Sequence, residues 1–162
     1  MDYHEQLARV RRFLVRVETS SVNPKLELPP EKQTEYEDML CAFFQNCWHL
    51  KDWIKNDAAA PTTLAGPIEQ LCTQYQSLML CADIANASKH LKWNRPPRLG
   101  GKVVPKIMVR LTDSFETGES TSQVRYVYEI ADDVGKSYDA LTLARQALSD
   151  WETLITTHGG AI

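Results

Sequence analysis

The apolar residues of this chain change their spacing once and then change back, and that switch limits the fold more than any other feature. Tyr3, Leu7, Val10, Leu14 and Val17 step by four and three, the period of a helix that buries one stripe. Tyr36, Leu40, Phe43, Cys47, Leu50 and Ile54 repeat the pattern, and so do Ile68, Leu71, Tyr75, Leu78, Ala82 and Ala85. The period then becomes two. Val103, Pro105, Ile107, Val109 and Leu111 alternate with polar residues, as do Val124, Tyr126, Tyr128 and Ile130. Such alternation belongs to strands. Helical spacing returns at Leu141, Ala144, Leu148, Trp151 and Ile155.

The breaks agree with the periods. Pro24, Pro29 and Pro30 separate the first two stripes, and a helix starting after Pro30 has Glu31 in its first turn, where the dipole favours an anion. NDAAAPTTLAGP (56–67) ends that helix, and the third is expected to run to about Leu91. TDSFETGESTS reads as the turn of a β-hairpin, and Pro105 assigns the first strand to an edge because proline cannot donate to a ladder. Ser137 is the expected N-cap of the last helix and Gly159–Gly160 its end. The expected class is therefore mainly α: one domain over 1–162, a four-helix bundle with a β-hairpin at about 102–131 between its third and fourth helices.

Composition narrows the functional classes. No stretch approaches the roughly 18 apolar residues of a membrane span, and the charged, amphipathic start MDYHEQLARVRRFLVRVE is unlike a secretory leader. A cytoplasmic protein is expected. Cys41, Cys47, Cys72 and Cys81 form no CxxC pair and sit among apolar neighbours, so they read as small buried hydrophobes, with no metal or other cofactor implied. The net charge is only −3, but Lys89, Lys92, Arg95, Arg98, Lys102, Lys106 and Arg110 fall in a segment without an acidic residue. The rest of the chain consequently carries −10.

Two polar groupings interrupt the stripes. On the second helix, Gln45, His49, Asp52 and Asn56 share a face bracketed by Trp48 and Trp53. Two tryptophans on that face suggest that a helix or a partner protein packs over it, and an i,i+3 His49–Asp52 pair would fix the imidazole tautomer. On the third helix, Asp83, Asn86 and His90 form one line at the border of the apolar stripe. His90 reads as a general acid/base, Asn86 as its hydrogen-bond partner and Lys89 as a charge for phosphate. His90, Asn86, Asp83, His49 and Asp52 are thus the candidate catalytic residues. The basic run that follows contains Trp93, and cations beside an aromatic suit the phosphates and bases of a nucleic acid. Lys89, Lys92, Trp93, Arg95 and Arg98 are the candidate nucleic-acid contacts. The alternatives are a structural network in a protein-interaction module and a metal site using His49, Asp52, Asp83 and His90.

HLKDW on one helix and CADIANASKHL on the next resemble uncharacterised bacterial helical-bundle proteins and, more distantly, the HEPN superfamily of α-helical ribonucleases and nucleotide-binding modules. Asn86 falls on that family's polar motif position and His90 on its histidine, whereas the arginine position falls on Ala85. Lys89, Lys92 and the arginines at 9, 11, 12 and 16 are the cations available in its place. The resemblance implies a homodimer with paired motifs, metal-independent cleavage or binding of RNA, or nucleotide binding, and a toxin–antitoxin or defence role.

Overall fold

The computed structural model describes residues 2–20, 30–89, 103–116, 119–132 and 135–162. It is mainly helical. The elements run α1 (Tyr3–Ser20), α2 (Pro30–Asn56), α3 (Thr62–Ala65), α4 (Ile68–Cys72), α5 (Gln76–Lys89), β1 (Val103–Glu116), β2 (Glu119–Asp132), β3 (Ser137–Asp139) and α6 (Ala140–Thr157). The two short helices aside, the long helical segments are those set by the apolar period. Tyr3, Leu7, Val10, Leu14 and Val17 are all buried on α1, and the whole expected stripe of α2 is buried with Phe44 added. One continuous core joins α1, α2, α5 and α6, with Trp151, Phe43 and Phe44 among its largest enclosed side chains.

Local chemistry fixes the ends. Asp2 accepts from the Glu5 amide at 3.0 Å, a helix N-cap. Asp57 reaches the same end, accepting from the Tyr3 amide at 2.9 Å and from the Ala59 amide at 2.9 Å. The Tyr3 hydroxyl donates to the Ala161 carbonyl at 3.0 Å. The start of α1, the exit of α2 and the residues after α6 are thereby tied together.

The expected third helix is in fact two, α4 and α5. Its break lies at Thr73–Tyr75, where the Gln74 and Tyr75 amides bond carbonyls only three residues back and the Thr73 hydroxyl bonds the Gln70 carbonyl at 2.7 Å. These tighter bonds end α4 without glycine or proline, which is why apolar spacing concealed the break. The last helix also starts later than Ser137 implied. Asp139 caps it, accepting from the Thr142 amide at 2.7 Å, because Ser137–Asp139 pairs with β2 as a third strand. Gly159, at φ +82°, provides the left-handed residue that ends the segment.

The hairpin lies between α5 and α6, and its antiparallel register runs from Val103↔Asp132 to Glu116↔Glu119. Most of TDSFETGESTS is therefore ladder rather than turn. Its Ser- and Thr-rich composition carries strand propensity without apolar alternation, so periodicity alone could not find it. The sheet order β1-β2-β3 leaves β1, with Pro105, at one edge. At the other end of the ladder Tyr128 and Ile130 enter the core, where the Tyr128 ring stacks on Tyr36 at 3.9 Å between centroids.

Candidate functional site

α5 holds the candidate site, and its surroundings decide what each polar residue on it can do. α2, α6 and β1 all pack against it, and Cys81, Ala82, Asp83, Ile84 and Ala85 are consecutively buried. Small side chains at Ala82 and Ala85 permit that close approach. One consequence corrects the border position expected for Asp83. It is 1% exposed, enclosed because α5 has neighbours on more than its apolar stripe. A buried carboxylate is tolerated only with partners, and Asp83 is held by interactions within the fold. Asn86, one turn on, is half-buried and Ser88 is exposed.

The α2–α5 seam is fixed by two contacts. The Cys81 and Cys47 sulfurs lie 3.8 Å apart in the core. Toward the other end of α5, the Gln45 amide donates to the Ser88 hydroxyl at 2.8 Å, and Ser88 donates to the Ala85 carbonyl at 3.0 Å. The helices are thus antiparallel, and His49 lies one turn beyond Gln45 on α2. His49 is half-buried and has a partner in the fold. The seam joins Gln45 to Ser88, two residues beyond Asn86.

Asp52 stands one turn beyond His49 on α2. Its carboxylate accepts from the Lys51 ammonium and lines a separate groove of about 290 Å³ with Asp2, Trp53, Asn56 and Asp57. The two tryptophans are covered by the chain's own cations. Lys51 lies 5.1 Å from the Trp48 ring and Arg9 lies 5.5 Å from the Trp53 ring. Both indoles also pack partly against the core, so they require no partner protein to explain them.

Lys89 is the last residue of α5. His90, Lys92, Trp93, Arg95 and Arg98 lie outside the described residues. Among the described residues no group of three or more His, Cys, Asp or Glu is placed to hold a metal ion, and no helix is long and apolar enough to cross a membrane. Burial pushes the Cys81 thiol well above its ordinary range, helped by Cys47. Burial also raises Cys41, with the Asp38 and Glu37 charges adding to it. Raised thiols are poor nucleophiles and poor ligands.

Two features escaped sequence reasoning. One is the Asp57 clamp on α1, whose two backbone bonds hold its carboxyl below the usual carboxylate range. The other is a groove between the start of α5 and α6, where the Asp150 carboxylate accepts from the Ser77 hydroxyl and, at 2.8 Å, from the Gln146 amide. The i,i+4 spacing of Gln146 and Asp150 is a readable signal; a contact from residue 77 to residue 150 has none. Comparison of the chain with protein-family models, curated proteins and solved structures finds no match.

Proposed function

We propose that this chain is a HEPN-like helical bundle that binds RNA at the C-terminal end of α5. In this reading Lys89, Lys92, Arg95 and Arg98 engage phosphates, Trp93 stacks on a base, and Asn86 and His90 contribute polar contacts to the nucleotide. The observation that carries it is the Gln45–Ser88 bridge at 2.8 Å, which anchors the end of α5 to α2 where the acid-free basic run begins. A rigid anchor lowers the ordering cost of the segment it presents. Two copies acting together, as the family resemblance implies, would place two such segments on one RNA.

Binding is favoured over cleavage by Ala85. That position, where the resembling family has its arginine, is 1% exposed, so it is occupied by core packing and presents no cation. Asp83, equally enclosed, belongs to the scaffold rather than to a reacting group. This retains part of the alternative, a non-enzymatic module with a structural polar line, while assigning RNA as the partner.

The test is fluorescence anisotropy with a labelled single-stranded RNA. Each phosphate contact contributes a slope of about −0.7 in log K against log salt. The triple variant Lys92→Ala, Arg95→Ala, Arg98→Ala is expected to weaken binding and to flatten that slope by about 2. An RNA affinity unchanged by the triple variant would sink the reading.

A further inference from the structure

The arginines of this chain divide into two sets. Arg11 and Arg145 each meet a carboxylate at 2.7 Å, Arg11 that of Glu152 and Arg145 that of Glu18. Arg9, Arg12 and Arg16 meet no carboxylate among the described residues. These three share a face of α1, falling within about 60° of one another around the helix axis. Arg9 donates to the Gln6 side-chain oxygen at 2.8 Å and lies 5.5 Å from the Trp53 ring. Arg16 lies 5.4 Å from the Phe13 ring. Arg12 and Arg16 are exposed, and among the described residues no acceptor takes their guanidinium donors.

The charges around this face leave it cationic. Asp2 and Glu5 precede Arg9 on it. Asp2 accepts from the Glu5 amide and lies 3.7 Å from His4, and Glu5 is itself engaged within the fold. The remaining acid of α1, Glu18, is turned to Arg145 on α6. α2 meets the arginine side of α1 through Met39, Asn46 and Trp53, all neutral. Of the acids early in α2, Glu37 and Asp38 act on Cys41, Glu35 has its own partner, and Glu31 lies in the first turn, well before Met39. From Arg9 to Ser20 this face therefore carries three cations and no carboxylate.

Its position ties the face to the RNA site. Gln6 donates to the Asn46 carbonyl at 2.9 Å, and Gln45, the residue before Asn46, donates to Ser88 at 2.8 Å. One peptide step on α2 thus separates the anchor of the arginine face from the anchor of α5. A guanidinium laid on an aromatic ring keeps its edge donors open, and planar forks of this kind match phosphate oxygens. A lone anion would meet one of the three cations and leave the others unmatched, whereas a nucleic-acid strand brings a phosphate with every nucleotide. Resting on the RNA reading, we propose that Arg9, Arg12 and Arg16 form a second contact for the same single strand. The basic run after α5 holds one part of the strand, and the α1 face holds phosphates of the part that crosses α2.

The salt dependence of binding tests this, measured by anisotropy with the full chain and labelled single-stranded RNA. Arg12→Ala with Arg16→Ala removes two cations from exposed helix positions where alanine is well tolerated. The pair is expected to weaken binding and to flatten the slope of log K against log salt by about 1.4, at about 0.7 for each phosphate contact. Combined with the triple variant at 92, 95 and 98, it is expected to flatten the slope further. Lys55→Ala with Lys136→Ala removes the same charge from other exposed positions and is expected to leave the slope unchanged. A wild-type protein that binds no RNA overturns both readings. RNA that binds with an unchanged slope in the α1 pair, or with an equal loss in the lysine pair, overturns the α1 contact alone.

Discussion

Replacing Asp83 by alanine separates a scaffold carboxylate from a reacting one. The side chain is 1% exposed and is held by interactions within the fold. Truncation removes those interactions and leaves their partner enclosed without its acceptor. An unsatisfied buried group costs about 1–3 kcal/mol, and the figure rises to about 3–5 kcal/mol where the abandoned partner is itself charged. The small void adds to this rather than offsetting it. For a chain of this size 1 kcal/mol corresponds to roughly 2–4 °C in Tm, so Asp83→Ala is expected to lower Tm by about 3–10 °C or more. Asn86→Ala, at a half-buried position on the same helix, is expected to lose less than half as much. Thermal and urea unfolding followed by circular dichroism measure both. An Asp83→Ala protein melting within about 1 °C of the wild type would refute the assignment of Asp83 to the scaffold.

Three further outcomes follow from the titratable groups and their neighbours. Asp57 is held below its ordinary value of 3.8 first by the Tyr3 amide and then by the Ala59 amide; its contribution is present above that value and lost as pH falls through the folded one. The Tm difference between wild type and Asp57→Asn is therefore expected to be full at neutral pH and to close below about pH 3.8; a difference that persists into acid would contradict the clamp. The Tyr36 phenol is raised, chiefly by burial and next by Tyr128, so its stabilisation holds below the ordinary value of 10.0 and is lost as pH rises beyond it. Phenolate absorbance from Tyr36, assigned as the difference from Tyr36→Phe, is expected only on alkaline unfolding. Cys47, Cys72 and Cys81 are buried and Cys41 is only partly so; native-state labelling with a maleimide at pH 8 is expected to modify Cys41 first and Cys81 only on unfolding, as mass spectrometry of the digested protein reads directly.

The fold was legible where packing follows a single period. The stripes of α1 and α2 could be read residue by residue because each of these helices lays one apolar face on the core. α5 resisted, since a helix with neighbours on several sides buries residues that a one-stripe reading assigns to a border. Asp83 is the clearest instance. The break at Thr73–Tyr75 and the cap at Asp139 depend on local hydrogen bonds to backbone groups, and such bonds leave no mark on apolar spacing. The outer half of the hairpin was hidden for a related reason: its Ser and Thr residues pair through the backbone without an alternating apolar signal. Of the candidate site, Asn86 and the Gln45 face of α2 were correctly placed on neighbouring helices. Asp52 and Asn56, expected on that face, line one groove together with Asp2 and Asp57, a neighbourhood that helical spacing within α2 alone could not show.

Photocrosslinking is the most direct measurement of where RNA meets this chain. The protein is irradiated in complex with single-stranded RNA containing 4-thiouridine, digested, and mapped by mass spectrometry. Crosslinked peptides are expected to span residues 89–102, with Trp93 as a principal site, and to disappear when Lys92, Arg95 and Arg98 are replaced by alanine. Crosslinks confined to other segments, or an RNA that binds without touching residues 89–102, would contradict the proposed function.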